Sequence, residues 1–210
     1  MDAFVTDDAA PQASALPLTP PKKPTREQAM EAVRTLIAWA GDDPRREGLI
    51  DTPKRVVDAF DEWYQGYVAD PARELARTFE DVQGYDDMVM LRDIEVESHC
   101  EHHMAPFLGK AYVAYLPTEK VVGISKIARV VEIFSKRLQT QETLTQQIAE
   151  AIEENLTPAG VAVLIDAEHQ CMTTRGVHHR HVSTITTRFT GVFKTDTTLQ
   201  ERFLRLAQRG

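Results

Sequence analysis

The stretch IEVESHCEHHMAPFLGKAYVAYL, residues 94–116, is where helical periodicity along the chain gives way to strands. Ile94 and Val96 alternate with Glu95 and Glu97, the period of two of a half-buried strand. Phe107 to Leu116, rich in Tyr and Val, reads as a second strand, and Pro117 with Thr118 turns the chain after it. Upstream the pattern is helical. Thr25 and Gln28 form a capping box, after which Met30, Val33, Ile37 and Ala40 recur at helical spacing until Gly41. A second helix is predicted with Thr52 as N-cap and Pro53 at its first position, placing Val56, Phe60, Trp63 and Tyr67 on one face. Asp70 and Pro71 restart a shorter helix, and residues 79–87 read as a loop.

Downstream, Val121 to Ile124 is short and apolar, and two helices follow, Ser125 to Leu138 and Glu142 to Leu156. Val161 to Ile165 is a buried-strand run, His181 to Phe193 a long strand, and Thr198 with Glu201 caps a final helix carrying Leu199, Phe203 and Leu206. Helices, strands, a helix pair, strands and a helix in that order predict an α+β fold with antiparallel pairing. Residues 1–24 hold five of the eleven prolines and no glycine, so they are expected to be a disordered leader. Residues 25–87 then form an N-terminal helical part and 88–210 a second domain.

Composition excludes several classes. The 210 residues carry a net charge of −8, which argues against a general nucleic-acid binder. The deficit is uneven: residues 1–99 hold 11 basic and 21 acidic groups, residues 100–210 hold 13 and 11. No two glycines lie closer than seven positions apart, so neither a dinucleotide fingerprint nor a phosphate-binding P-loop exists. No apolar run approaches the roughly 18 residues of a membrane span. The N-terminus, with Asp2, Asp7 and Asp8, lacks the form of a secretory signal. Two cysteines fit a reducing cytoplasm.

All seven histidines and both cysteines fall within residues 99–103 and 169–181, which points to one metal site assembled from two segments. Cys100 and His103 stand in C-x-x-H spacing, and Cys171 is the only other thiol. A Cys2His set leaves a fourth tetrahedral position open, the arrangement of catalytic rather than structural zinc. Three other readings stay open at this level. His99, His102 or His169 could close a structural site, Cys100 and Cys171 could form a disulfide, or the histidines could be surface strand residues.

A second candidate site is anionic in its preference. SKIAR places Ser125 at a predicted N-cap with Lys126 and Arg129 three apart on one helical face, a plausible phosphate cradle. Residues 169–195 contain no acid and add Arg175 and Arg180. Gln141 and Glu142 offer an amide beside a carboxylate, a pair able to read a base edge, although first-turn Gln and Glu are also ordinary capping residues.

CEHHMAPFLGKAYVAYLP, VVGISKIARVVEIFSKRLQTQETLT and DAEHQCMTTRGV, in this order and spacing, resemble GTP cyclohydrolase I of the zinc-dependent type. The resemblance runs from about Thr25 to the C-terminus and is densest over residues 98–193. It implies a tunnelling fold, an antiparallel sheet with a helix pair, preceded by the helical part. It also implies a homodecamer of two pentameric rings with GTP sites between subunits. Cys100, His103 and Cys171 would bind Zn2+, and His102 and His169 would move protons, His169 donating to nitrogen 7 of guanine. Ser125, Lys126, Arg129 and Arg175 would hold the triphosphate and ribose, Gln141 and Glu142 the guanine edge. Arg55, in TPKRV, would reach a neighbouring subunit's triphosphate. No motif position departs from the pattern; Thr140 and the HHRH run at 178–181 are local variation. A non-catalytic zinc-binding paralogue that keeps the ring is the alternative, and loss of a ligand or of the proton donor would favour it.

Overall fold

The computed structural model describes residues 22–79 and 85–208. The expected leader lies outside the described residues up to residue 21, as does the centre of the loop expected over 79–87. Two compact units divide between Val57 and Asp58.

In the first unit, α1 spans Arg26–Trp39 and starts at the predicted capping box. Gln28 N donates to Thr25 Oγ1 at 3.2 Å, and Thr25 N donates to Gln28 Oε1 at 2.9 Å. Gly41, at φ +95°, follows its end in the left-handed conformation that glycine tolerates. The helix buries none of its residues and leaves Leu36 and Trp39 exposed. Helix α2, Thr52–Trp63, includes Thr52 rather than using it as a cap, and buries Pro53 and Val57.

The second unit takes in the end of α2 from Asp58, then a 3-10 turn at Gln65–Tyr67 and α3 at Pro71–Leu75, where Asp70 Oδ1 accepts from Ala72 N at 3.0 Å. Strand β1, Thr78–Phe79, precedes β2, Val89–Cys100, and β3, Pro106–Leu116. Strand β4, Val121–Val122, pairs back onto β1. Helix α4 (Ile124–Ser135), β5 (Leu138–Gln139) and α5 (Gln141–Leu156) follow, then β6 (Gly160–His169) and α6 (Gln170–Thr173). The chain ends in β7 (Ser183–Phe189), α7 (Gly191–Thr195) and α8 (Thr197–Ala207). The main sheet has the order β5-β2-β3-β6-β7 and is antiparallel except for the short β2–β5 pairing.

Both sheet faces are covered over part of their area. Ile127, Val130, Val131 and Phe134 of α4, with Leu144, Ile148 and Ile152 of α5, pack on Val96, Ala111, Val113, Val163 and Ile165. On the opposite face Phe193 of α7 and Phe203 of α8 cover Ala114, Ala162 and Leu164. Two covered faces explain why residues 161–165 are apolar without alternation. Each fully buried Ile, Leu or Phe contributes about 1.5–3 kcal/mol to holding these layers together. The α+β architecture, an antiparallel sheet with a helix pair on one face, is the one the sequence implies.

Four local expectations change. Gly123, not Ser125, is the N-cap of α4, and it offers no side-chain cap; Ser125 already lies inside the helix. That helix stops at Ser135 rather than Leu138, because Leu138 and Gln139 pair with His99 and Cys100. The expected strand to Phe193 ends at Phe189. Gly191, at φ +50°, starts α7 there, and a Cβ on it would stand only 2.0 Å from Ala159 O. The last helix is capped by Asp196 instead of Thr198. One carboxylate oxygen of Asp196 accepts from Thr198 N at 2.9 Å and from Leu199 N at 3.1 Å. A charged acceptor two residues upstream outcompetes a hydroxyl for the same free N–H groups. Asp196→Ala is therefore expected to cost about 1 kcal/mol of stability and Thr198→Ala much less. Denaturant unfolding of the full chain at one protein concentration checks the difference.

Candidate metal and substrate site

Cys100 ends β2, and the residues after it fold into a tight turn. Met104 N donates to Cys100 O and Cys100 N donates to Ala105 O, both at 2.8 Å. The turn sets His102 Nδ1 3.7 Å and His103 Nδ1 3.9 Å from Cys100 Sγ. Cys171 arrives from the other side, in α6, delivered by the β3–β6 ladder in which Phe107 faces His169. Ligand atoms of Cys100, His103 and Cys171 all lie within 4.8 Å of one another. Metal–ligand bonds of about 2.0–2.3 Å in tetrahedral geometry space ligand atoms by roughly 3.3–3.8 Å, so small movements let one ion bind all three. Two thiols and an imidazole suit a borderline-soft ion such as zinc.

The competing readings of the cluster meet specific obstacles. Both cysteines are free, which removes the disulfide. His99 is buried against Trp63, with ring centroids 4.8 Å apart, and against Tyr64 at 5.4 Å. Burial, and then Lys136, hold its pKa below the usual imidazole value. Burial, and then the neighbouring Cys100, push the Cys171 thiol up. A bound cation reverses that balance, because it stabilises thiolate directly.

His169 is fixed on two sides. Its ring stacks on Phe107 at 4.6 Å and 9°, and its Nε2 lies 2.7 Å from Gln141 Oε1. Burial lowers its pKa and the Glu142 carboxylate partly opposes that shift. Glu142 is exposed in the first turn of α5, whereas Gln141 beside it is buried. Arg175 reaches the same end, its Nη1 donating to His103 Nε2 at 2.8 Å.

The anion candidates lie elsewhere. Lys126 Nζ is 2.7 Å and Arg129 Nη1 3.3 Å from the same oxygen, Glu74 Oε2, while Ser125 is exposed. They occupy the N-terminal half of α4, whereas Cys100 and Glu101 meet Gln139, beyond its C-terminal end. Ser125 stands in the first turn of α4 and the cluster lies beyond its last, and residues 125–135 alone span about 15 Å of helix axis. Within one chain these two halves are not brought together. Arg55 lies in the first unit and pairs with Asp51 at 3.6 Å.

Two residues of the site had no signal in the sequence reading. Glu74 precedes Lys126 by 52 positions, so nothing local marks it as the counter-ion of that lysine. Periodicity makes Phe107 a strand residue; only pairing with β6 makes it a platform for His169.

A thiol–imidazole cluster at strand ends, with a second imidazole held beside it, equips an α+β domain for metal-assisted acid–base catalysis. The family model of GTP cyclohydrolase I matches residues 29–208. The GTP cyclohydrolase 1 of Hyphomonas neptunium is 71% identical over 185 residues, covering 88% of this chain and 90% of that one. That of Maricaulis maris is 68% identical over 209 residues, covering 100% of both. Among solved structures, an archaeosine synthase QueF-Like in the apo form aligns with TM-score 0.43 and 19% identity, over 51% of this chain and 96% of that one. The chain belongs to the GTP cyclohydrolase I family and is an enzyme of that type.

Hydrogen bonding from Lys126, and less from Arg129, holds the Glu74 carboxyl below the usual carboxylate range. A depressed folded-state pKa gives stability that is present above the unfolded value and lost as pH falls through the folded one. Thermal unfolding should therefore show wild type above Glu74→Gln at neutral pH, with the gap closing on acidification below the ordinary carboxylate range. A gap independent of pH would contradict the pairing.

Proposed function

We propose that this enzyme is zinc-dependent and opens the imidazole ring of guanine in GTP. It releases carbon 8 as formate and forms 7,8-dihydroneopterin 3′-triphosphate, the first step towards tetrahydrofolate or tetrahydrobiopterin. The observation that carries the reading is the Cys100–His103–Cys171 group with His169 held beside it. Those three residues would hold the zinc, which when bound supplies Lewis-acid activation of water at neutral pH. His169 delivers a proton to nitrogen 7, making carbon 8 electrophilic, and exposed His102 exchanges protons with solvent. Two waters add as the two C–N bonds at carbon 8 break, and one water leaves when the rearranged ribose closes onto the base amines.

The triphosphate is kept and serves as a handle whose binding energy orients the reacting ring. Ser125, Lys126 and Arg129 hold it, with Arg175 at the metal end and Arg55 from a neighbouring subunit. The guanine edge falls to the Gln141–Glu142 pair, of which Glu142 is the exposed member. The helix-length gap between the anion and metal halves supports completion of each site by a second copy, in a homodecamer of two pentameric rings. Among the described residues no helix is long and apolar enough to cross a membrane, and the acid excess disfavours nucleic acid as a partner. The two cysteines suit the reducing cytoplasm in which the enzyme would work.

Zinc-loaded protein incubated with GTP should release one formate per turnover and yield a pterin that fluoresces after oxidation; release of inorganic phosphate instead would sink the reading. Cys171→Ala should lose zinc while far-ultraviolet circular dichroism stays unchanged. Full zinc stoichiometry in that variant would show the ligand set to be wrong.

A further inference from the structure

Gln141 is among the largest fully buried side chains of the domain, at 1% exposure, and every polar atom of its amide is engaged. Its Nε2 donates to two backbone carbonyls, Ile165 O at 3.1 Å on β6 and Thr184 O at 2.7 Å on β7. Thr186 Oγ1 is a third neighbour at 3.2 Å. Carbonyls only accept, so the amide atom between them must be the nitrogen and the oxygen must face His169.

The hydroxyls point the same way. Thr145 Oγ1 donates its hydrogen to Gln141 O at 2.7 Å, so in its 2.6 Å contact with Thr186 it can only accept. The Thr186 hydrogen is then directed at Thr145, leaving Thr186 Oγ1 as an acceptor for the Gln141 amide. A flipped amide would set its oxygen against two carbonyls that carry no hydrogen, and would leave its NH2 facing His169 with both carbonyls unpaired. With Oε1 fixed as an acceptor 2.7 Å from His169 Nε2, the histidine must present Nε2–H to it. Nδ1 is the ring nitrogen that this bond does not use, and the Phe107 stack sets the plane of the ring.

We infer that Gln141 is the positioning residue of His169: it accepts from Nε2–H, so the ring meets the substrate through Nδ1, which gives its proton to nitrogen 7 from the doubly protonated ring and is bare in the neutral one. This rests on the reading of His169 as the proton donor, and it moves Gln141 from base recognition to the orientation of that histidine. Base recognition then falls to Glu142, whose exposed carboxylate is free of the network. Positioning through another side chain lowers the rate of the chemical step without weakening ground-state binding, whereas a lost base contact weakens binding.

In the zinc-loaded full chain, Gln141→Met should lower kcat for formate release about 100-fold, within the range for general acid catalysis, and leave KM for GTP within about threefold. A KM raised about tenfold or more at unchanged kcat returns Gln141 to the base edge and overturns the inference, as do unchanged kinetics. A second arm needs no substitution of the buried amide. Solid-state 15N spectra of the histidine-labelled wild type, with His169 assigned by its missing signal in His169→Gln, report which nitrogen of the neutral ring carries hydrogen. Hydrogen on Nε2 supports the inference and hydrogen on Nδ1 overturns it. Wild type that released no formate would remove the ring-opening reading, while the spectra would still report the Gln141–His169 contact.

Discussion

The pairing of β3 with β6 is the constraint on which the rest of this molecule depends. It runs from Phe107↔His169 to Leu116↔Gly160, and burial on both faces holds its register. Ala111, Val113, Val163 and Ile165 face α4 and α5, while Ala114, Ala162 and Leu164 face α7 and α8. A slip of one residue would turn each of these to the wrong side and carry His169 with them. In register, the ladder brings Cys171 to the turn that begins at Cys100, although the two lie far apart along the chain. The Cys100–His103–Cys171 group and the placement of His169 two residues before Cys171 are thus consequences of strand packing.

The site is stiffened by polar groups that the same ladder buries. Gln141 joins the start of α5 to β6 and β7, and Thr145 continues the network one helical turn later. Buried polar groups are costly unless partnered, so a fully satisfied network favours one arrangement of its members. That rigidity passes to His169 through a single hydrogen bond and a stacked ring. Around α4 the electrostatics are less static. Lys126 and Arg129 share an oxygen of Glu74, so the cations proposed for the triphosphate already have an anionic neighbour within the chain. Net charge therefore says little about the ligand; the local field decides which ion is welcome.

Much of this was legible in order and spacing. The capping box at Thr25, the Asp70–Pro71 helix start, the strands on either side of CEHH and the helix pair all appear where periodicity places them. Misplaced boundaries share one cause. Thr198 and Ser125 are acceptable caps by local chemistry, but Asp196 supplies a stronger acceptor and Gly123 sits at the start of α4. The strand expected through Phe193 is cut at a glycine whose close approach to Ala159 no local rule reveals. Propensity counts nearest neighbours only, and these outcomes depend on competing or distant backbone groups.

By itself the sequence determined the residue types of the chemistry and their grouping: two thiols, seven histidines in two short windows, and cations with a hydroxyl on one helix. It also determined the α+β class, because helical and strand periods are properties of consecutive residues. Only the tertiary structure decided which histidine stays near Cys100 and Cys171, and that His99 is buried against aromatic rings instead. It alone decided that Gln141 faces His169 and that Glu74 faces Lys126. Those choices rest on hydrogen bonds and ion pairs between distant positions, which exist once apolar burial has fixed the register of the sheet.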